Sequence, residues 1–260
     1  MRNILLTISY DGTDFCGWQR QDRSDKGRPV RTVQGEIEGA LAKIHKTHVG
    51  LTGSGRTDSG VHALAQAANF FSPIDSIPAG RYVEALNAFL PDDIRIMRSE
   101  EVAVDFSSRF SATSRTYRYF IHMGNPLASQ TRYVWPIHHK PDLGILNEMA
   151  SCLRGETDCA TFAAAGDKSL STCRYIEDAR FYADGASPDV IFFEIRANAF
   201  LWKMVRSITG SLIFFERSGR PSSYFKEALD SRDRKKAGPT APPQGLFLHS
   251  VSFEGTRRHV

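Results

Sequence analysis

Residues 3–12 read NILLTISYDG. Ile4, Leu6, Ile8 and Tyr10 fall at every second position, with Thr7 and Ser9 between them. Period two marks a half-buried strand, and Asp11-Gly12 supplies a turn at its end. Going forward, Thr32 stands as a helix N-cap. Val33, Ile37, Leu41 and Ile44 then recur at helical spacing, which predicts an amphipathic helix over 33–46. HVGLTGSG (48–55) predicts a short strand and QAANFFS (66–72) another. PAGRYVEALNAFLP (78–91) predicts a second helix between two prolines, with Tyr82, Leu86 and Phe89 on one face. IRIMRSEEV (94–102) returns as a strand. The order strand, helix, strand, strand, helix, strand is the split β-α-β pattern of ferredoxin-like folds.

The later chain uses similar parts. RTYRYFIHMG (115–124) predicts an aromatic-rich strand, and LGILNEMASCLRG (143–155) a helix. TCRYIEDARFYADG (172–185) and VIFFEIRANAF (190–200) predict a hairpin joined by ASPD. FLWKMVRSITGSLIFF (200–215) predicts a buried helix, its apolar face carried most of the way round by Trp202, Ile213 and Phe214. SSYFKEALDS (222–231) predicts another helix, and GLFLHSVSFE (245–254) a closing strand. FSSRFSA (106–112) interrupts the pattern. The expectation is an α/β (α+β) chain with one domain over 1–106 and a second over 107–260.

The bulk numbers bound the function. The chain has 260 residues, enough for one large or two small domains with a sizeable core. No apolar run approaches the roughly 20 residues of a membrane-spanning helix. The start reads as a strand and not as a signal peptide, so Cys16, Cys152, Cys159 and Cys173 are expected as reduced cytoplasmic thiols. They form no C-x-x-C pair, and the histidines form no H-E-x-x-H, so no metal is expected. The net charge of +4 is mildly basic. Arg20, Arg23, Lys26, Arg28 and Arg31 cluster in 19–31, RDRKK occupies 232–236, and Arg257-Arg258 follow. Each cluster alone reads as a solvated loop; together they fit a phosphate-rich partner.

Three places could carry chemistry. GSGRTDSGVHA (53–63) holds Arg56 and Asp58 in a glycine-lined loop between predicted strands. Its aspartate is either a turn residue before Gly60 or a reactive carboxylate that attacks carbon or takes a proton. Arg206 lies in the apolar 200–215 segment, either paired with a carboxylate or snorkelling to the surface beside Lys203. Tyr117 and Tyr119 share one face of a strand, with Arg115 beside them and Arg118 opposite. They either fill a core or stack a nucleobase. Asn198, Phe200 and Arg20 could line the same groove.

YDGTDFCGWQRQ (10–21), TVQGEIEGAL (32–41), GRTDSGVHA (55–63), SRTYRYF (114–120), NAFLWKMVRSITG (198–210) and APPQGLFL (241–248) occur in this order over nearly the whole chain. In that arrangement the chain resembles the tRNA pseudouridine synthase A family. The resemblance implies the pseudouridine synthase fold, two ferredoxin-like (RRM-like) halves sharing a largely antiparallel central sheet. It implies an isomerase that converts uridine to pseudouridine at positions 38, 39 and 40 of the tRNA anticodon arm, without cofactor or metal, as a cytoplasmic homodimer. It makes Asp58 the catalytic aspartate and Arg206 the arginine that pairs with it. Arg56 becomes the residue that displaces the target base, and Tyr117 the ring that packs on the uracil. Arg20 and Asn198 become candidate substrate contacts. Ser59 stands where alanine is usual, and the basic loop between Gln21 and Thr32 is longer than in many members. Two other readings stand beside it: a tRNA-binding and folding protein without catalysis, and a glycosidase that uses Asp58 with a second carboxylate such as Asp93.

Overall fold

The computed structural model describes residues 1–21, 24–25 and 28–258. Arg23 and Lys26 of the basic loop, and the side chain of Arg28, lie outside the described residues. In chain order the elements are β1 (Arg2–Tyr10), β2 (Ser24–Asp25), β3 (Arg28–Pro29), α1 (Val33–His45), β4 (Thr52–Gly53), β5 (His62–Ser72), α2 (Tyr82–Asn87) and β6 (Ile94–Val102). There follow β7 (Ser114–Met123), β8 (Trp135–Ile137), α3 (Leu143–Ser151), β9 (Gly155–Asp158), β10 (Cys173–Ala183), β11 (Val190–Ala197), α4 (Met204–Arg217), α5 (Ser223–Asp230) and β12 (Leu246–Ser252). The chain divides into two units, one of Met1–Ala112 with Phe247–Glu254 and one of Thr113–Leu246 with Gly255–Val260.

In the first unit β1 lies between β5 and β6, antiparallel to both. The outer edge of β5 is shared. Thr52 and Gly53 of β4 pair with Asn69 and Ala68, while Phe247 and Leu248 of β12 run parallel to His62 and Ala63. This parallel pairing places Phe247–Glu254 with the first unit, where a single cut at 106 puts those residues in the second. The FSSRFSA segment is fixed to the first unit by buried amides. Asn3 Nδ2 donates to the Ala103 and Phe106 carbonyls, and Asn69 Oδ1 accepts from Ser108 N.

Ile4 and Phe70 are register partners and share a face of the sheet. Phe70 packs on His45 of α1 and on Tyr82 of α2, at ring-centroid distances of 6.0 and 5.1 Å. The helices therefore cover the Ile4, Leu6 and Ile8 face. Val33, Ile37 and Leu41 of α1 are fully buried, each worth about 1.5–3 kcal/mol of apolar burial. The Thr32 side chain accepts from Gly35 N and caps the helix. The second helix is shorter than its periodicity predicts. Residues Ala79–Arg81 form a 3-10 turn after Pro78. At the other end the Asn87 side chain exchanges two hydrogen bonds with the Ile96 main chain. Phe89, expected on the buried face, is 49% exposed.

In the second unit β7, β11, β10 and β9 pair antiparallel in that order, and β8 adds parallel to β7. Asn147 of α3 clamps the Phe181 main chain of β10 through both amide atoms. Phe162 stacks on Phe225 of α5 at 5.2 Å, and Phe225 meets Phe215 of α4. The α4 helix buries Met204, Ile208, Leu212 and Phe215, but its apolar wrap is incomplete. Trp202 precedes the helix, and Trp202 and Phe214 are each 48% exposed. A main-chain segment crosses α4 at Gly210, where an added Cβ would lie 2.0 Å from Pro239 O.

Candidate active site

The Asp58 loop is held from beneath by the segment that follows β1. Trp18 N donates to Thr57 O, Gly60 N to Phe15 O, and the Ser59 hydroxyl to Phe15 O. Gly17 has a φ of +93°, and a Cβ there would sit 2.6 Å from Thr57 O, so only glycine lets the two segments touch. Thr57 Oγ1 and the buried Tyr10 hydroxyl share a hydrogen bond of 2.8 Å. Ser54 binds Gln66, and Gln66 binds the Gly55 carbonyl. The loop is therefore a rigid platform. Asp58 is half-buried on it, and Arg56 projects into solvent.

Behind the platform Gln34 Oε1 accepts from Arg20 N and Gln19 Nε2, and Glu38 pairs with Arg20 Nη1 at 2.9 Å. Gln34 and Glu38 are buried, so Arg20 is aimed by α1. Asp93, the second carboxylate of the glycosidase reading, is held in an ion pair. Both its oxygens accept from Arg31, at 2.7 and 2.9 Å, and that guanidinium lies 4.1 Å over the Phe15 ring. The hydrogen bond to Asp93 raises Arg31 above the ordinary arginine value against the opposing effect of burial. With both oxygens taken by Arg31, Asp93 gives that form of the glycosidase reading no support.

The remaining residues lie in the second unit. Tyr117, on β7, is 8% exposed and meets Phe200 edge-on at 5.0 Å. Arg115 is as buried and donates to the Asn198 carbonyl at 2.7 Å. Burial pushes its guanidinium down to about 10, with Tyr117 raising it and Arg257 lowering it, so it stays cationic at neutral pH. Tyr119 donates to Pro242 O at 2.6 Å, and burial holds its phenol well above the usual range. Arg118 faces the other way and pairs with Glu194.

Arg206 sits half-buried in the first turn of α4. Its Nε donates to Ala241 O at 2.9 Å, and Ala241 N donates back to the Arg206 carbonyl at 3.0 Å. Its guanidinium is thus oriented by the APPQG segment, a partner that helical periodicity does not reveal. Asn198 is fixed otherwise than expected for a substrate contact. Its Oδ1 accepts from Tyr175 N and Ala199 N, and its Nδ2 donates to Arg258 O. The basic clusters are also partly engaged. Arg232 pairs with Asp158, Arg234 binds Thr240, and Arg258 lies 4.7 Å over Tyr175. Among the described residues no group of three His, Cys, Asp or Glu side chains is placed to hold a metal ion.

Each unit thus assembles its own quoted motifs: YDGTDFCGWQRQ around GRTDSG in one, and SRTYRYF, NAFLWKMVR and APPQG in the other. The profile of the tRNA pseudouridine synthase family matches residues 6–111 and 149–254. The chain belongs to the tRNA pseudouridine synthase family. It is 55% identical over 253 residues to a tRNA pseudouridine synthase A of Treponema denticola, covering 97% of this chain and 93% of that one. It is 48% identical over 240 residues to the protein of the same name from Treponema pallidum, covering 92% and 84%. A third, from Brachyspira hyodysenteriae, is 40% identical over 256 residues, covering 98% and 99%. As a member of this pseudouridine synthase family the chain is an isomerase, and Asp58 lies within the matched residues.

Proposed function

We propose that this chain converts uridine to pseudouridine at positions 38, 39 and 40 of the tRNA anticodon arm, as a cytoplasmic homodimer, with Asp58 as the catalytic carboxylate. The observation that carries this is the placement of Asp58, half-buried on a loop whose main chain is tied to Phe15 and Trp18. Such a platform holds a reacting group without reorganisation.

The reaction breaks the bond between the ribose carbon and uracil nitrogen, turns the base, and rejoins it through carbon. Nothing is gained or lost overall. Asp58 acts on the sugar, by attack on its carbon or by removal of its proton. Arg206 is its ion-pair partner, which keeps the carboxylate charged while it is partly desolvated. Arg56 takes the place of the everted base, whose removal from the stack costs a few kcal/mol. Tyr117 packs on the uracil and accepts the ring proton after reattachment. Arg20 contacts the RNA backbone. Asn198 serves by holding the Tyr175 and Arg258 main chains, since its amide is already used there.

The test is tRNA carrying tritium at uracil carbon 5, incubated with the purified chain. Pseudouridine formation releases that tritium, and mapping locates the sites. Asp58→Ala is expected to bind tRNA and release no tritium above the uncatalysed level. Release by Asp58→Ala would remove Asp58 from the catalytic role, whereas tRNA binding by wild type without release favours the non-catalytic tRNA-binding reading.

A further inference from the structure

Trp202 leaves 48% of its surface in solvent, whereas Trp18 leaves 2%. The main chain that carries the exposed ring is nevertheless held in one place. Trp202 N donates to Asp167 Oδ2 at 2.5 Å, and Trp202 O accepts from Ala164 N at 3.0 Å. Asp167 Oδ1 accepts from Ser169 N at 2.8 Å, so both carboxylate oxygens are engaged by main-chain N–H groups. These bonds lace the 163–172 loop to the residue ahead of α4. Lys203 then takes a left-handed φ of 59° and turns the chain into the helix. Its ammonium stands 4.8 Å from the centre of the Trp202 ring. On the loop Lys168 is exposed, and the Leu170 side chain is fully in solvent. Two residues back, Phe200 packs on Tyr117.

An exposed aromatic ring on an anchored main chain, with a lysine ammonium against it, is the makeup of a nucleobase-stacking platform. The acid in this patch has its charge met by main-chain N–H donors, which lowers its repulsion of a phosphate. We propose that Trp202 stacks on an unpaired base of the RNA next to the isomerised nucleotide, with Lys203 and Lys168 on the adjoining phosphates. This rests on the tRNA isomerase reading above. The occupant is RNA because Lys203 stands against the ring and the exposed Lys168 follows Asp167, which binds the Trp202 main chain.

Trp18 is buried and Trp135 half-buried, so emission quenched by a contacting base reports mainly on Trp202. Titration with an anticodon stem-loop RNA is expected to quench wild-type emission, and Trp202→Phe to lose that quench. Trp202→Ala is expected to raise KM for the same RNA about 5- to 100-fold, the range base–aromatic stacking spans. Its kcat should stay within about twofold, the signature of binding lost equally from ground and transition states. A full quench in Trp202→Phe, or a wild-type KM in Trp202→Ala, overturns the proposal. So does an emission shift that grows with protein concentration without RNA and is absent from Trp202→Phe, which assigns the ring to contact between copies. If wild type quenches with RNA but forms no pseudouridine, the isomerase reading fails while the stacking contact stands.

Discussion

Tyr117 and Tyr119 share a strand face. Tyr119 is locked to Pro242 O and held protonated by burial. Tyr117 is the tyrosine assigned the proton-accepting step. Tyr117→Phe keeps a ring against Phe200 and removes that hydroxyl. Stem-loop binding is expected to remain within about twofold of wild type, because the stacking surface persists. Tritium release should stall; normal release would exclude the role. The cysteines show a related effect of burial. It pushes the Cys152 thiol up to about 11 and the Cys159 thiol to about 12. Both stay protonated and unreactive at neutral pH.

At the scale of elements, two glycines in helices differ in what surrounds them. Gly39 of α1 is exposed, and a Cβ there would meet nothing within 4 Å. Gly39→Ala is expected to raise stability by about 0.5–1 kcal/mol through helix propensity. Gly210 of α4 faces Pro239 O, with Ala241 N a further close contact. Gly210→Ala is expected to lower stability by about 1–3 kcal/mol, the cost of forcing bulk into a packed site. It should also disturb Arg206, whose Nε and carbonyl are bound to Ala241. Urea unfolding midpoints of the two variants should therefore move in opposite directions. Both glycines lie in strongly helical patterns, and the sequence alone does not distinguish them. Their difference comes from a segment about thirty residues further along the chain.

For the molecule as a whole, stability should fall on mild acidification through His45. This residue is 8% exposed at the end of α1, against Phe70 and Tyr82. Burial lowers its imidazole below the ordinary 6.5. Between the lowered folded value and the unfolded value the unfolded chain binds more protons, so stability rises with pH across that window. It is lost as pH falls from above 6.5 through the folded value. The slope for one proton is at most about 1.4 kcal/mol per pH unit. His45→Phe should flatten this part of the urea-midpoint profile between pH 7.5 and 5.5. An unchanged profile would assign the dependence to other groups. No helix among the described residues is long and apolar enough to cross a membrane.

Periodicity and capping made most of the elements legible, because they depend on neighbours a few residues away. The strand in 3–12, the Thr32 cap and the hairpin around ASPD are of this kind. The short β8 and β9 strands are too brief to show a period in the sequence. The motifs around Asp58, Tyr117 and Arg206 were legible as a family pattern, but not the partners of their side chains. The Asn198 amide, for example, donates to Arg258 O, 60 residues away. The sequence by itself determined most of the helices and strands and the family pattern that the Asp58 loop belongs to. Tertiary structure alone decided that the last strand returns to β5, that Asp93 is bound by Arg31, and that Trp202 stays in solvent. The physical reason is range. Backbone conformation answers to local side chains, whereas burial and hydrogen-bond partners are set by segments that only the folded chain brings together.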